Sequence, residues 1–153
     1  MTREIAVDDA AGWRVVSQTA EYALRAVLYI ARQPADRLVP AAEIARVLQV
    51  PERYLARVLN GLRRTGVLAS VRGSHGGFRL DGPPAVLTLL EVVAPFESPG
   101  ETPPCLLRGQ RCGEDGICSA HDAWYGVAAR VRDFFQRTTI EELIHDGANG
   151  RAA

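Results

Sequence analysis

The amino-acid sequence predicts a mainly α-helical chain with a small β-wing: a winged helix-turn-helix domain followed by a long C-terminal helix. Three observations carry that expectation. Two apolar-striped segments, 41–48 and 52–65, lie only three residues apart. Behind them the pattern changes to alternation on both sides of a glycine-rich stretch, Gly73-Ser74-His75-Gly76-Gly77, as two strands and a tight reversal require. Further on, Trp124, Val127, Ala128, Val131, Phe134 and Phe135 recur at helical spacing over roughly four turns.

Taken in order, residues 1–15 show no periodicity and are expected to form a flexible N-terminal extension. Ala20, Ala23, Leu24, Val27, Leu28 and Ala31 repeat at i, i+3, i+4 and i+7, a helix that Pro34 ends. The next helix, 41–48, is expected to turn Ile44, Ala45, Val47 and Leu48 inward. Gln49-Val50-Pro51 separates it from the following one, whose buried stripe is Leu55, Val58, Leu59 and Leu62. Pro51 suits such an entrance because the first helical turn has unpaired N–H groups anyway, and Gly66 suits the exit. Residues 67–71 and 78–80 read as strands. Thr88 and Glu91 have capping-box spacing and open a short helix to about residue 96. Thr138 to Glu142 looks like a second cap, opening a final short helix that ends near His145. The expected units are thus 1–15 as extension, 16–96 as the winged domain, 97–118 as a cysteine-rich loop, and 119–146 as the long and terminal helices.

A chain of 153 residues suits one compact domain with or without an appended arm. Its 47% apolar and 24% charged content is globular in character. No apolar run approaches the roughly 20 residues needed to span a bilayer. The first residues carry Glu4, Asp8 and Asp9 without a signal peptide's apolar centre, so a cytoplasmic protein with no membrane partner is expected. Net charge is zero, but unevenly spread: residues 41–80 hold seven arginines against two acids, and residues 81–153 six arginines against eleven acids. There is no lysine. Guanidinium groups suit bidentate contact with phosphate or guanine, although an all-arginine set can also follow from genome base composition.

Reading duplex DNA requires an element narrow enough for the major groove, with donors on its outer face. The helix after Pro51 offers Arg53, Arg57 and Arg64 opposite its buried stripe, and the wing offers Arg72, Ser74 and His75 to the neighbouring backbone or minor groove. The bland alternative is a helical domain whose arginines merely solvate one face. The glycine-rich stretch is no nucleotide loop, since it lacks the G-x-x-x-x-G-K-[ST] pattern and precedes a strand.

Cys105, Cys112 and Cys118 are the only cysteines, and His121 completes the spacing C-x6-C-x5-C-x2-H. An odd number inside a cell argues against disulfides. Three thiolates and an imidazole suit zinc or an iron–sulfur cluster; the alternative is three unrelated thiols in a loop. The spacing approaches that of RNA-binding zinc fingers but has a shorter first gap and one residue fewer before the histidine. A cysteine-nucleophile enzyme would need a third, orienting group that the sequence does not offer, so no catalytic residue is expected.

At these residues the chain resembles the IscR/NsrR family of bacterial transcription regulators (the Rrf-two family), from about residue 17 to residue 143. The resemblance is carried by residues 17–26 (SQTAEYALRA), Tyr54-Leu55, Val71-Arg72-Gly73 with Gly76-Gly77-Phe78, and the cysteine–histidine set. It implies a homodimer built on the helix after the cysteines as dimerisation helix, and binding to a double-stranded DNA operator tuned by a cluster, [2Fe–2S] in preference to [4Fe–4S]. The implied ligands are Cys105, Cys112, Cys118 and His121, with Glu21 of the partner subunit as the alternative fourth ligand. Zinc, or no metal and no sensing, is the alternative cofactor state. The sequence also departs from the pattern: the first cysteine gap is one residue longer than the even spacing of IscR-like members, Ala56 stands where an acidic base-reading residue is expected, Pro40 and Pro51 replace serine caps, and about fifteen residues precede the family's usual start.

Overall fold

The structure, a computed structural model, describes residues 15–97 and 120–146. The expected extension before residue 15, and Cys105, Cys112 and Cys118, lie outside the described residues. Among the described residues, six helices and two strands follow the order α1 (Gln18–Ala31), α2 (Ala41–Leu48), α3 (Glu52–Arg64), β1 (Leu68–Val71), β2 (Gly77–Leu80), α4 (Leu89–Val93), α5 (His121–Arg137) and α6 (Ile140–Asp146).

Helix α1 is the hub, packing against α2, α3, α4 and α6. Ser17 caps it by accepting from the Ala20 N–H at 3.2 Å. Ala20, Ala23 and Ala26 are fully buried; their small side chains let neighbouring helices come close. Val27 and Ile30 complete the stripe, while Leu24, Leu28 and Ala31 are half-buried against the core.

The turn between α2 and α3 reverses the chain through Gln49, whose φ of 54° is left-handed. A non-glycine residue there carries a steric penalty of about 1 kcal/mol. The conformation lets the Val50 N–H reach the Ala45 carbonyl at 3.0 Å and buries Val50. Pro40 and Pro51 are N-caps with no side-chain cap bond; Pro51 therefore sits just before the first helical turn. Val47 corrects one expectation: it is 43% exposed. Ile44, Ala45 and Leu48 already fill the narrow inward arc of this two-turn helix, and Val47 falls outside it. One turn before Val47, at the start of α2, the Tyr29 hydroxyl donates to Glu43 at 2.7 Å, and the Arg37 guanidinium donates to both carboxylate oxygens at 2.9 and 3.0 Å. This clamp ties α2 to the end of α1.

Strands β1 and β2 pair antiparallel, Leu68 opposite Leu80 and Val71 opposite Gly77. The capping box at Thr88 forms with both reciprocal bonds, and the helix behind it is shorter than expected, ending at Val93 before a turn through Phe96. Thr139 and Glu142 exchange bonds of 3.4 Å at the start of α6.

The sequence groups α6 with α5, yet in space α6 returns to the winged unit. Ile140 is 0% exposed and belongs to the main core. Its N–H donates to the Leu87 carbonyl at 2.8 Å, Leu89 N–H donates to Thr138, and Thr88 bridges Thr139.

Two outcomes are expected. Ile140→Ala should lower unfolding free energy by about 3 kcal/mol, through lost burial and the cavity left behind, read by denaturant unfolding. For the clamp, the hydrogen bond from Tyr29 and the Arg37 charge outweigh burial and hold Glu43 below its ordinary value of 4.5. Its stabilising contribution is thus present above that value and is lost as pH falls through the lower folded value. Glu43→Gln should flatten the acid limb of the stability profile below pH 4.5 relative to wild type.

Candidate nucleic-acid interface and cysteine segment

Helix α3 is sharply two-sided. Leu55, Leu59 and Leu62 are fully buried and Val58 nearly so, which leaves Arg53, Arg57, Asn60 and Arg64 exposed on the opposite face. Its orientation on α1 is fixed at the flank by Tyr54, whose hydroxyl shares a 2.6 Å hydrogen bond with Thr19 Oγ1 and whose ring meets Tyr22 edge-on at 5.9 Å. Helix α3 ends through Thr65 into Gly66 at φ 80°.

The wing tip exposes Arg72, Ser74 and His75, with Ser74 Oγ 3.1 Å from His75 Nδ1. Gly73 has φ 116°, a backbone that L side chains rarely adopt. The base of the wing is tied to the helix-turn-helix unit. Val39, directly before the α2 cap, exchanges two 2.9 Å backbone hydrogen bonds with Phe78. A Cβ on Gly77 would stand only 2.6 Å from the Val39 carbonyl, so glycine is what lets this third strand-like segment lie alongside. The sequence pattern gives no sign of the bridge.

Between the start of α2, the side of α3 and the wing lies an open cleft of about 420 Å³, lined by Ala41, Asn60, Arg63, Ser70, Arg72 and Gly73 among others. Arg63 is the residue that sequence spacing does not single out. It lies at the edge of the arginine face, and only the folded wing shows that it shares a cleft with Arg72. The predicted residues Arg53, Arg57 and Arg64 are therefore gathered on one helix face, and Arg72, Ser74 and His75 on the adjoining tip. Together with Arg63 they form an exposed, arginine-bearing surface.

The candidate ligands are less complete. His121 opens α5, with its ring 4.7 Å from the Tyr125 ring. Glu21 lies in the first turn of α1, half-exposed, with a carboxylate oxygen 3.8 Å from Arg25. Among the described residues no group of three or more His, Cys, Asp or Glu side chains converges as a metal site; the three cysteines fall outside them.

Comparison with known proteins bears on the family and the fold. The Rrf2 family, described as iron-dependent transcriptional regulators, matches residues 16–146. An Aquifex aeolicus protein described as an HTH-type transcriptional regulator is 38% identical over 133 residues, covering 86% of this chain and 92% of that one. The HTH-type transcriptional regulator IscR of Vibrio vulnificus is 29% identical over 131 residues, covering 86% and 77%. The solved structure of CymR, the global cysteine regulator of B. subtilis, superposes with a TM-score of 0.74 at 23% identity, covering 88% of this chain and 98% of that one, a likeness of fold. Among the described residues no helix is long and apolar enough to cross a membrane. With the family match spanning nearly the whole chain, this protein belongs to the Rrf2 family of transcriptional regulators.

Proposed function

We propose that the chain is a homodimeric, cytoplasmic regulator that places α3 of each protomer in the major groove of an operator and carries an iron–sulfur cluster that modulates the fit. The observation that carries the DNA part is the arginine face of α3 continuing into the wing tip. Arg53, Arg57 and Arg64 enter the groove, Arg72, Ser74 and His75 hold the flanking backbone, and Arg63 with Asn60 borders the cleft between them. Such a protein acts by binding; the exposed Ser74–His75 contact at the wing tip has no third group orienting the imidazole among the described residues.

Dimerisation through α5 is supported by its surface. No residue of this 17-residue helix is buried within one chain. Phe135 packs on the core, while Val127 and Phe134, on the same apolar stripe, are 52% and 53% exposed. A second copy crossing at this stripe would cover them and set the two α3 helices about one DNA turn, roughly 34 Å, apart.

For the cluster, the support is the chemistry of the donor set: three thiolates, with an imidazole three residues beyond the last of them, on the opening turn of α5. Cys105, Cys112 and Cys118 with His121 would hold a [2Fe–2S] centre, with the partner's Glu21 as alternative fourth ligand. When bound, such a centre supplies sensitivity to oxidants, nitric oxide or iron–sulfur status. The segment between α4 and α5 joins the winged unit to the dimer helix, so a change in its order would alter half-site spacing. The same fold occurs in CymR, a global cysteine regulator, so the thiolates, rather than the fold, carry the cluster reading.

Protein purified without oxygen should be brown, with stoichiometric iron and sulfide, and Cys105→Ala should be colourless. The two should differ by about 5- to 150-fold in operator affinity; a colourless zinc protein, or equal affinities, would remove the sensing role. Arg57→Ala should weaken duplex binding by about 1–3 kcal/mol in electrophoretic titration while leaving the melting temperature unchanged. Val127→Glu should convert the dimer to monomer in sedimentation, with loss of operator binding at concentrations where wild type saturates.

A further inference from the structure

We propose that Phe96 is a positioning residue for the recognition helix, tying the chain that enters the cysteine segment to the arginine face of α3. The proposal rests on the regulator reading above and deepens it, since it concerns how the condition of that segment reaches DNA.

Gly61 lies on the flank of α3, between the buried leucines and the exposed arginines. A Cβ built there would stand 3.0 Å from both Cε1 and Cζ of Phe96. The ring therefore rests on the helix backbone itself, and any larger residue at 61 must move either the ring or the helix. The next residue holds a second grip. Glu97 accepts a hydrogen bond from the Ser17 N–H through Oε1, and its own N–H donates to Val93 at 3.0 Å. Ser17 caps α1. Two residues on, Thr19 is bonded to Tyr54 in the first turn of α3.

Residues 96 and 97 thus reach α3 at two places: directly at Gly61 in its C-terminal half, and through the first turn of α1 at Tyr54. A helix is stiff over its 13 residues, so a shift of this short stretch re-aims the whole arginine face rather than bending it. Cys105 follows only nine residues after Phe96. Coupling of this kind is reciprocal: if the segment biases α3, DNA bound to α3 must change the surroundings of the segment.

The reciprocity allows a test on reduced, metal-free, full-length protein. The rate at which its thiols react with an aromatic disulfide reagent is measured with and without a saturating duplex, selected from a random pool by the wild-type protein. Under conditions where exposure of the thiols equilibrates faster than they react, the rate follows that equilibrium, and in wild type the duplex should change it by about fivefold or more. Phe96→Ala should abolish the change and Phe96→Leu reduce it, with circular dichroism and melting curves reporting the fold. Gly61→Ala should weaken duplex binding about fivefold, and adding Phe96→Leu should restore it by making room. If Phe96→Ala does not fold, the Phe96→Leu variant and the Gly61→Ala pair decide. A duplex that binds without altering thiol reactivity, a response retained in the Phe96 variants, or no rescue of Gly61→Ala would each overturn the proposal. Failure of wild type to bind any duplex at low salt would instead sink the regulator reading on which it stands.

Discussion

The buried stripe of α3 constrains where its arginines can point. Leu55, Leu59 and Leu62 are fully buried and Val58 nearly so, and each such side chain contributes about 1.5–3 kcal/mol by leaving water. Rotating α3 about its axis would expose some of them and push a guanidinium against apolar groups without a partner, which is far less favourable. The arginine face is therefore turned outward by the core, before any DNA is present. Helix α1 supplies the complementary surface, and its three buried alanines allow the close approach that puts Tyr54 against Thr19 and Tyr22.

The wing is held to the same frame by backbone rather than by side chains. Val39 ends the loop after α1 and pairs with Phe78, so α2, its cap and the base of the wing move as one piece. Glycine at 77 is what permits that pairing. The consequence is a defined relation between the tip and the exposed face of α3, with Arg63 and Arg72 on the walls of one cleft. Arginine side chains suit this arrangement because their planar fork keeps its geometry on phosphate.

Much of this was legible in the sequence because it is local. The i, i+4 spacing marked α1 and α3, Gly66 marked the end of α3, and the Thr88–Glu91 pair and the Thr138 to Glu142 stretch marked two helix starts. What the sequence did not reveal depends on distant partners. Val47 looks like a core residue by hydrophobicity, yet the two-turn α2 has only a narrow buried arc. Ile140 looks like part of a terminal appendage, but Leu87, Thr88 and Leu89 draw it back to the first unit through backbone bonds. Arg63 and Phe96 carry no local signal, and their neighbours, Arg72 and Gly61, are known only once the chain has folded. For the ligand set, spacing and donor chemistry named His121, whereas Glu21 came only from the family resemblance; the fold places one at the start of α5 and the other in the first turn of α1.

That a protein of zero net charge binds a polyanion through this one surface is the claim on which the rest stands. It is tested most directly by measuring how the affinity of the wild-type protein for a selected duplex depends on salt. In the proposed homodimer, several arginines from each protomer on phosphates should give a log–log slope of about −5 or steeper, from counterion release. A slope near zero, or no binding at low salt whether or not the thiols hold a metal centre, would contradict it.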